Sequence, residues 1–303
     1  MAQPFLPAVT ALRAAAEPTR LRLLALLSRG ELTVGEICEI FGQSQPRISR
    51  HLKVLSDAGL LDRFREQNWV YYRAPATGEG REIVARMLEL VNAGDEVFQR
   101  DRRRLEGVVA ERRRLASVTS HPAALPGEVD RVLLTELHGE SPGALLDVGT
   151  GSGHLLGLLG EKATRAVGID ISREALQLAR SNVHSAGLSH CELQRGDMYD
   201  LPFGAAVFDT ATIDRTLAQA DKPVVALAEI ARTLKIGARL MVIEDFDRLS
   251  ERTGQSHANP LAILRDWFTS AGIGCDRIHP VDTEQGLLLV AVGRRIEAAH
   301  AAA

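Results

Sequence analysis

Few of the chain's residues would commit it to a disulfide scaffold, a metal centre or a membrane. Its 303 residues hold only three cysteines, Cys38, Cys191 and Cys275. They stand far apart, with no CxxC pair and no histidine at metal-ligand spacing, so buried thiols are expected rather than ligands. No apolar run approaches the roughly 20 residues needed to cross a bilayer. The N-terminus has no basic segment followed by an uninterrupted apolar core, and a cytoplasmic protein without membrane contact is expected. What is present is ordinary globular composition, 45% hydrophobic and 25% charged, on a length that suits two domains.

The net charge of −3 conceals an asymmetry. Residues 1–118 carry 19 Lys/Arg against 15 Asp/Glu, and the remainder 17 against 24, so a basic piece of +4 precedes an acidic one of −7. That division suits a nucleic-acid-binding part followed by a small-molecule-binding part. The motifs carry the argument further. Leu21, Leu23, Leu24, Leu26 and Leu27 recur at helical spacing after Pro18, which suits a first turn. Thr33 and Glu36 form a capping box ahead of Ile37, Ile40 and Phe41, and Gly42 ends that short helix. Ser44 can cap the next one, with Pro46 in its first turn and Ile48, Leu52 and Leu55 as its apolar stripe, before Gly59. Its other face carries Gln45, Arg47, Ser49, Arg50 and Lys53, side chains able to reach base edges and phosphates in a major groove. Two short helices and a tight turn make a helix-turn-helix, and Leu60–Arg65 with Trp69–Arg73 across Glu66-Gln67-Asn68 make a hairpin wing.

The words EPTRLRLLALL, SQPRISRHLKVLSDAGLL and VYYR, from Glu17 to Arg73, closely resemble the ArsR family of bacterial winged-helix repressors. Ser44, Gln45, Arg47, Ser49, Arg50 and Lys53 are the expected contacts to double-stranded operator DNA, although any of the first five could serve only local capping or solvation. Many members of that family sense metals through cysteines ahead of the recognition helix. Here the stretch reads Glu31-Leu32-Thr33-Val34-Gly35, and no metal effector is expected. Residues 80–118 read as one long helix, on the order of 55 Å at 1.5 Å per residue. The resemblance implies that it and the first helix build a homodimer suited to a two-fold operator. Its clusters Arg102-Arg103-Arg104 and Arg112-Arg113-Arg114 read as a solvated face rather than as phosphate contacts. Residues 1–79 are thus the winged-helix domain, 80–118 the dimerisation helix and 119–127 a linker.

A second domain, residues 128–295 with a disordered tail at 296–303, announces itself at Ala144-Leu145-Leu146-Asp147-Val148, a buried parallel strand. Gly149-Thr150-Gly151-Ser152-Gly153 and an apolar helix follow. Alternate glycines let the backbone approach a ligand closely, and a helix start presents N–H groups to a carboxylate or phosphate. A dinucleotide fingerprint would have its third glycine at position 154, where His154 stands, and no GK[ST] follows. A second strand ends in Asp170, placed to accept both hydroxyls of a ribose. A third ends in Gly196-Asp197-Met198, offering an acceptor for an adenine amino group and an apolar lid, while Ile171 can cover the ring's other face.

The series LLDVGTGSG, GIDIS, GDMYDLPF and FDTATI resembles the class I methyltransferases that use S-adenosylmethionine (SAM), and implies a Rossmann-like α/β fold with seven strands. By position, Asp147, Gly149, Thr150 and Gly151 would hold the methionine part, Asp170 the ribose, and Ile171, Asp197 and Met198 the adenine. Asp147 has an alternative, capping the loop's own N–H groups. Catalysis has less support. Neither RRRLASVTSHPAALPG nor IDRTLAQADKP supplies an aromatic lid, and Asp214, the one conceivable base, reads more readily as a surface or capping carboxylate. Ile236-Gly237-Ala238 departs from the usual Pro-Gly-Gly turn, and the scattered thiols do not suit arsenite methylation. The two-domain combination resembles regulators of methionine metabolism that respond to S-adenosylhomocysteine (SAH). The expectation is therefore a repressor sensing SAH or SAM. The rival is a working small-molecule methyltransferase whose winged helix controls its own promoter.

Overall fold

The computed structural model describes residues 5–66, 69–75, 78–92, 94–119, 127–188, 190–252 and 259–297. The chain divides into two compact units, Met1–Arg114 with Arg180–Ser189, and Leu115–Ala179 with His190–Ala303.

The first unit opens with α1 (Phe5–Ala15) and α2 (Pro18–Leu27). Glu17 caps α2 by accepting the N–H of Arg20 at 2.9 Å, and the helix buries Leu23, Leu24, Leu26 and Leu27. After the short β1 (Leu32–Thr33), α3 (Val34–Phe41) begins at the capping box. Thr33 Oγ accepts from Glu36 N at 3.3 Å, and Glu36 Oε2 accepts from Thr33 N at 2.8 Å. Gly42, at φ 63°, ends the helix in the left-handed conformation that costs glycine least. Then α4 (Gln45–Asp57) buries Ile48, Leu52 and Leu55 against the same core. The wing is β2 (Asp62–Glu66) paired antiparallel with β3 (Trp69–Arg73), and β1 adds to the far side of β3 to make three strands.

The single helix expected over 80–118 is instead two, α5 (Gly78–Glu89) and α6 (Glu96–Thr119). Polar residues between them break it. Asn92 Oδ1 accepts from Gly94 N at 2.9 Å, closing a turn, and Asp95 Oδ1 then accepts from Val97 N at 3.0 Å, capping α6. In the arginine clusters on α6, Arg102, Arg103, Arg104 and Arg114 are exposed as on a solvated face, and Arg112 departs from it. Arg112 is 4% exposed and gives its guanidinium to both oxygens of Glu36, at 2.9 and 2.8 Å, and to the carbonyl of Glu31. Arg104 donates to the Ile40 carbonyl at 2.7 Å, and buried Asp101 takes two hydrogen bonds from Arg22 of α2. Arg102 and Arg114 pair at the surface with Glu106 and Glu111. Helix α6 is thereby tied to both ends of α3 and to α2.

The expected linker at 119–127 falls mostly on residues 120–126, and the expected tail at 296–303 mostly on 298–303, both outside the described residues. The second unit runs α7 (Gly127–Glu136), β4 (Ala144–Val148), α8 (His154–Leu159), β5 (Arg165–Asp170), α9 (Arg173–Ser185), β6 (Cys191–Arg195) and β7 (Phe208–Asp214). It continues with α10 (Pro223–Thr233), β8 (Leu234–Asp245), α11 (Phe246–Arg252), α12 (Pro260–Ser270), β9 (Ile273–Thr283) and β10 (Gly286–Arg295). Seven strands form one sheet in the order β6-β5-β4-β7-β8-β10-β9, with parallel pairing from β6 to β8 and β10 antiparallel to both its neighbours. The central strands are largely apolar because both faces are covered, and Leu146, Val148, Val167, Ile169, Ile213 and Val242 lie in one core. The carboxyl ends of β6, β5, β4 and β7 therefore point to one edge of the sheet. Among the described residues no helix is long and apolar enough to cross a membrane, and no cluster of three or more His, Cys, Asp or Glu is arranged to hold a metal ion.

Candidate functional site

A cavity of about 280 Å³ opens at that edge of the second unit. Its floor is the glycine loop after β4. Gly149, Gly151 and Gly153 all take positive φ, at 68°, 52° and 76°. A side chain at Gly149 would put Cβ 2.8 Å from Thr216 Oγ, whereas at Gly151 the nearest neighbour is 3.8 Å away. The first glycine is therefore required by packing and conformation together, and the second by conformation alone. The loop is held from below by Thr150 N, which donates to the Ile169 carbonyl at 2.9 Å.

Asp147, Gly149, Thr150, Gly151, Asp170, Ile171, Asp197 and Met198 all line this one cavity, with Asp214. Their environments differ. Asp147 is 1% exposed and its oxygens accept from the hydroxyls of Thr150 at 2.6 Å and Thr212 at 2.7 Å. Its partners are thus two side chains rather than the loop's N–H groups. Burial lifts its pKa to about 7, against the two threonine hydrogen bonds, and the charges of Asp214 and Asp170 add to the rise. Asp170 accepts from Gly151 N at 2.8 Å and Ser172 N at 2.7 Å, so the backbone on either side orients its carboxylate. Burial raises its pKa too, opposed by those N–H groups. Asp197 Oδ1 accepts from Tyr199 N at 3.0 Å, and Met198 packs on the sheet core. Ile171 is 64% exposed, a large apolar side chain left uncovered at the cavity's rim.

Asp214, at the end of β7, is held in a two-pronged bridge by its neighbour. Arg215 Nε and Nη2 reach its two oxygens at 2.9 and 3.0 Å. Arg215 is itself buried and adopts φ 46°, a left-handed conformation costly for a non-glycine residue, which its N–H to the Ile243 carbonyl helps to hold. Among the polar residues that line the cavity without having been assigned to it from the sequence are Arg215, His154, Tyr199, Thr216 and Gln219. Nothing in their local pattern marks them. Their roles come from β7 lying beside β4 and from α7, whose Asp130 contacts His154 Nε2 at 2.8 Å. Behind the cavity, Glu244 is fully buried on β8 and accepts from Leu217 N at 2.6 Å, holding the turn that carries Thr216 and Gln219. Burial pushes its pKa to about 8, against the N–H groups of Leu217, Ala218 and Thr216.

In the first unit, Ser44, Gln45, Arg47, Arg50 and Lys53 are exposed along one side of α4, with Ser49 half-buried beside them. Ser44 occupies the N-cap position, yet its hydroxyl makes no capping hydrogen bond. Lys53 pairs with Asp57 at 3.0 Å, both at solvent.

The family model of bacterial regulatory proteins of the arsR family matches residues 17–63. The transcriptional repressor SdpR of Bacillus subtilis is 36% identical over 83 residues, which is 27% of this chain and 91% of the repressor. The chain belongs to the ArsR family of bacterial regulators. To that helix-turn-helix region this ArsR-family protein adds a methyltransferase domain, whose family model matches residues 140–285. Demethylmenaquinone methyltransferase of Thermus thermophilus is 37% identical over 110 residues, 35% of this chain and 48% of the enzyme. An uncharacterized 37.1 kDa protein in transposon TN4556 of Streptomyces fradiae is 36% identical over 123 residues, 39% of this chain, and the chain spans only 35% of its length.

Proposed function

We propose that this ArsR-family protein is a DNA-binding repressor whose methyltransferase-like domain takes SAH or SAM as an effector. The observation that supports the reading is the cavity itself, in which the glycine loop meets Asp170, Ile171, Asp197 and Met198 and in which the candidate base Asp214 is already engaged. Asp214 is bridged to Arg215, and each oxygen of buried Asp147 accepts from a threonine hydroxyl. The residues present fit the adenosyl group. The glycine loop offers backbone without side chains, Asp170 is oriented for ribose hydroxyls, and exposed Ile171 supplies an apolar face for a ring beside Asp197 and Met198. SAM would bring a transferable sulfonium methyl, whereas SAH brings none.

Operator binding would use Gln45, Arg47, Ser49, Arg50 and Lys53 from α4, as a homodimer on a two-fold site. The ties of Arg112, Arg104 and Asp101 make α6 the element through which occupancy would be felt, since a shift of α6 pulls on both ends of α3. A coupling of roughly 1–3 kcal/mol would change operator affinity about 5- to 150-fold. By resemblance, the genes controlled are those of SAH recycling and methionine synthesis. A gel shift on the protein's own upstream region, titrated separately with SAH and SAM, tests the reading. Release of DNA by either nucleoside supports it, and no change with both refutes it.

The second reading is an active methyltransferase under its own control, favoured by the methyltransferase-domain match over 140–285. Incubation with methyl-labelled SAM and cell extract separates the two, since transferred label supports the enzyme.

A further inference from the structure

On the reading that the cavity takes an adenosyl amino acid, we infer that His154, pinned by Asp130, anchors the amino-acid end of that ligand. His154 thereby makes the site select adenosyl amino acids over nucleosides lacking that end. The strand order supports the placement. Ile171, Asp197 and Met198 follow β5 and β6, at one end of the run β6-β5-β4-β7, while the glycine loop and His154 follow β4, towards the other. An adenosine laid along β5 and β6 puts its 5′ substituent beside His154.

The chemistry at that end is restricted by the bonds already made. Thr150 Oγ donates to Asp147, Thr216 Oγ donates to the Asp214 carbonyl, and Arg215 gives Nε and Nη2 to Asp214. His154 differs. Asp130 Oδ1 stands 2.8 Å from Nε2, and a carboxylate only accepts, so Nε2 carries the proton in that bond. Among the described residues Nδ1 has no hydrogen-bond partner, and the half-buried ring stands at the cavity wall. A zwitterionic amino acid offers that nitrogen two partners: its ammonium donates to a neutral ring, and its carboxylate accepts from a charged one. Asp130 lies in the first turn of α7, 24 residues before His154, and fixes the ring's orientation rather than touching the ligand.

The test is calorimetric titration of the full chain with SAH and, in parallel, with 5′-methylthioadenosine, which keeps the adenosine and the thioether but has a methyl group in place of the amino-acid chain. His154→Ala should weaken SAH by roughly 10- to 100-fold and leave methylthioadenosine within about twofold. His154→Gln should recover part of the SAH affinity, and Asp130→Asn should show a smaller loss of the same selectivity, which a purely structural role would not. Circular dichroism of each variant checks the fold, and the glutamine variant carries the test if the alanine one misfolds. Equal losses for both ligands, or unchanged SAH affinity, would overturn the role of His154 and leave the nucleoside reading standing. Wild-type protein that binds neither ligand would overturn that reading and this inference with it.

Discussion

Replacing Glu244 with glutamine should remove a large part of the pH dependence of the second unit's stability. The carboxyl is 0% exposed, Oε1 receives Leu217 N at 2.6 Å, and buried Oε2 has no hydrogen-bond partner among the described residues. Burial raises the pKa from 4.5 to about 8, with the Asp214 charge adding to it and three N–H groups opposing. In the unfolded chain the group ionises near its ordinary value. Between about pH 4.5 and 8 the folded protein therefore keeps a proton that the unfolded chain has released. The contribution to stability is complete below the unfolded value, declines at about 1.4 kcal/mol per pH unit as pH rises, and is gone above the folded value. Over that window the loss amounts to at most about 5 kcal/mol. Asp147 acts with the same sign between 3.8 and about 7, so wild-type protein should weaken steadily from pH 5 to pH 8. Glutamine keeps the accepting oxygen and remains neutral. Urea unfolding of wild type and Glu244→Gln at pH 5, 6.5 and 8, followed by circular dichroism, reads the difference directly. The variant should lose roughly 3–4 kcal/mol less than wild type over the range and be the more stable of the two at pH 8. Parallel pH profiles for the two proteins would refute the buried neutral acid.

Arg112→Met should lower stability by about 2–4 kcal/mol by stranding Glu36, whereas exposed Arg103→Ala should stay within about 0.5 kcal/mol of wild type. Thermal melting compares them, and equal effects would show that the tie to α3 is energetically empty. Gly149→Ala should cost roughly 1–2 kcal/mol in backbone strain plus the displacement of Thr216, and Gly151→Ala the strain alone. Differential scanning fluorimetry ranks the two, and a milder effect at Gly149 would contradict the loop geometry. Arg47→Ala or Arg50→Ala should weaken operator binding by roughly 1–3 kcal/mol if the residue pairs with guanine. A fluorescence-anisotropy titration that finds the same loss on random DNA would assign the contact to phosphate instead.

Elements whose pattern is local were legible without coordinates. The capping box of Thr33 and Glu36, the stripe of Ile48, Leu52 and Leu55, and the glycine loop between a buried strand and a helix are each written within a dozen residues. Elements stabilised from a distance were not. Strand β9 lies at the sheet edge, partly exposed and carrying Pro280, a residue tolerated in strands mainly at edges, so its sequence gives no clean alternation. The division of α5 from α6 rested on side-chain turns at Asn92 and Asp95 that helical periodicity does not register.

For the site, the order of residues along the chain determined which ones end the parallel strands, because a strand's carboxyl edge follows from its direction and length. Asp170 and Asp214 end β5 and β7, Asp147 stands one residue before the end of β4, and Asp197 stands two residues after that of β6. Tertiary structure decided what those carboxylates are able to do. Thr212 comes from a neighbouring strand to hydrogen-bond Asp147, and Asp130 comes from a preceding helix to hold His154. Glu36 of α3 turns Arg112 of α6 from a solvated charge into a buried tie. Partners of this kind are chosen by packing between distant segments, and charge, burial and available hydrogen-bonding atoms all depend on that choice.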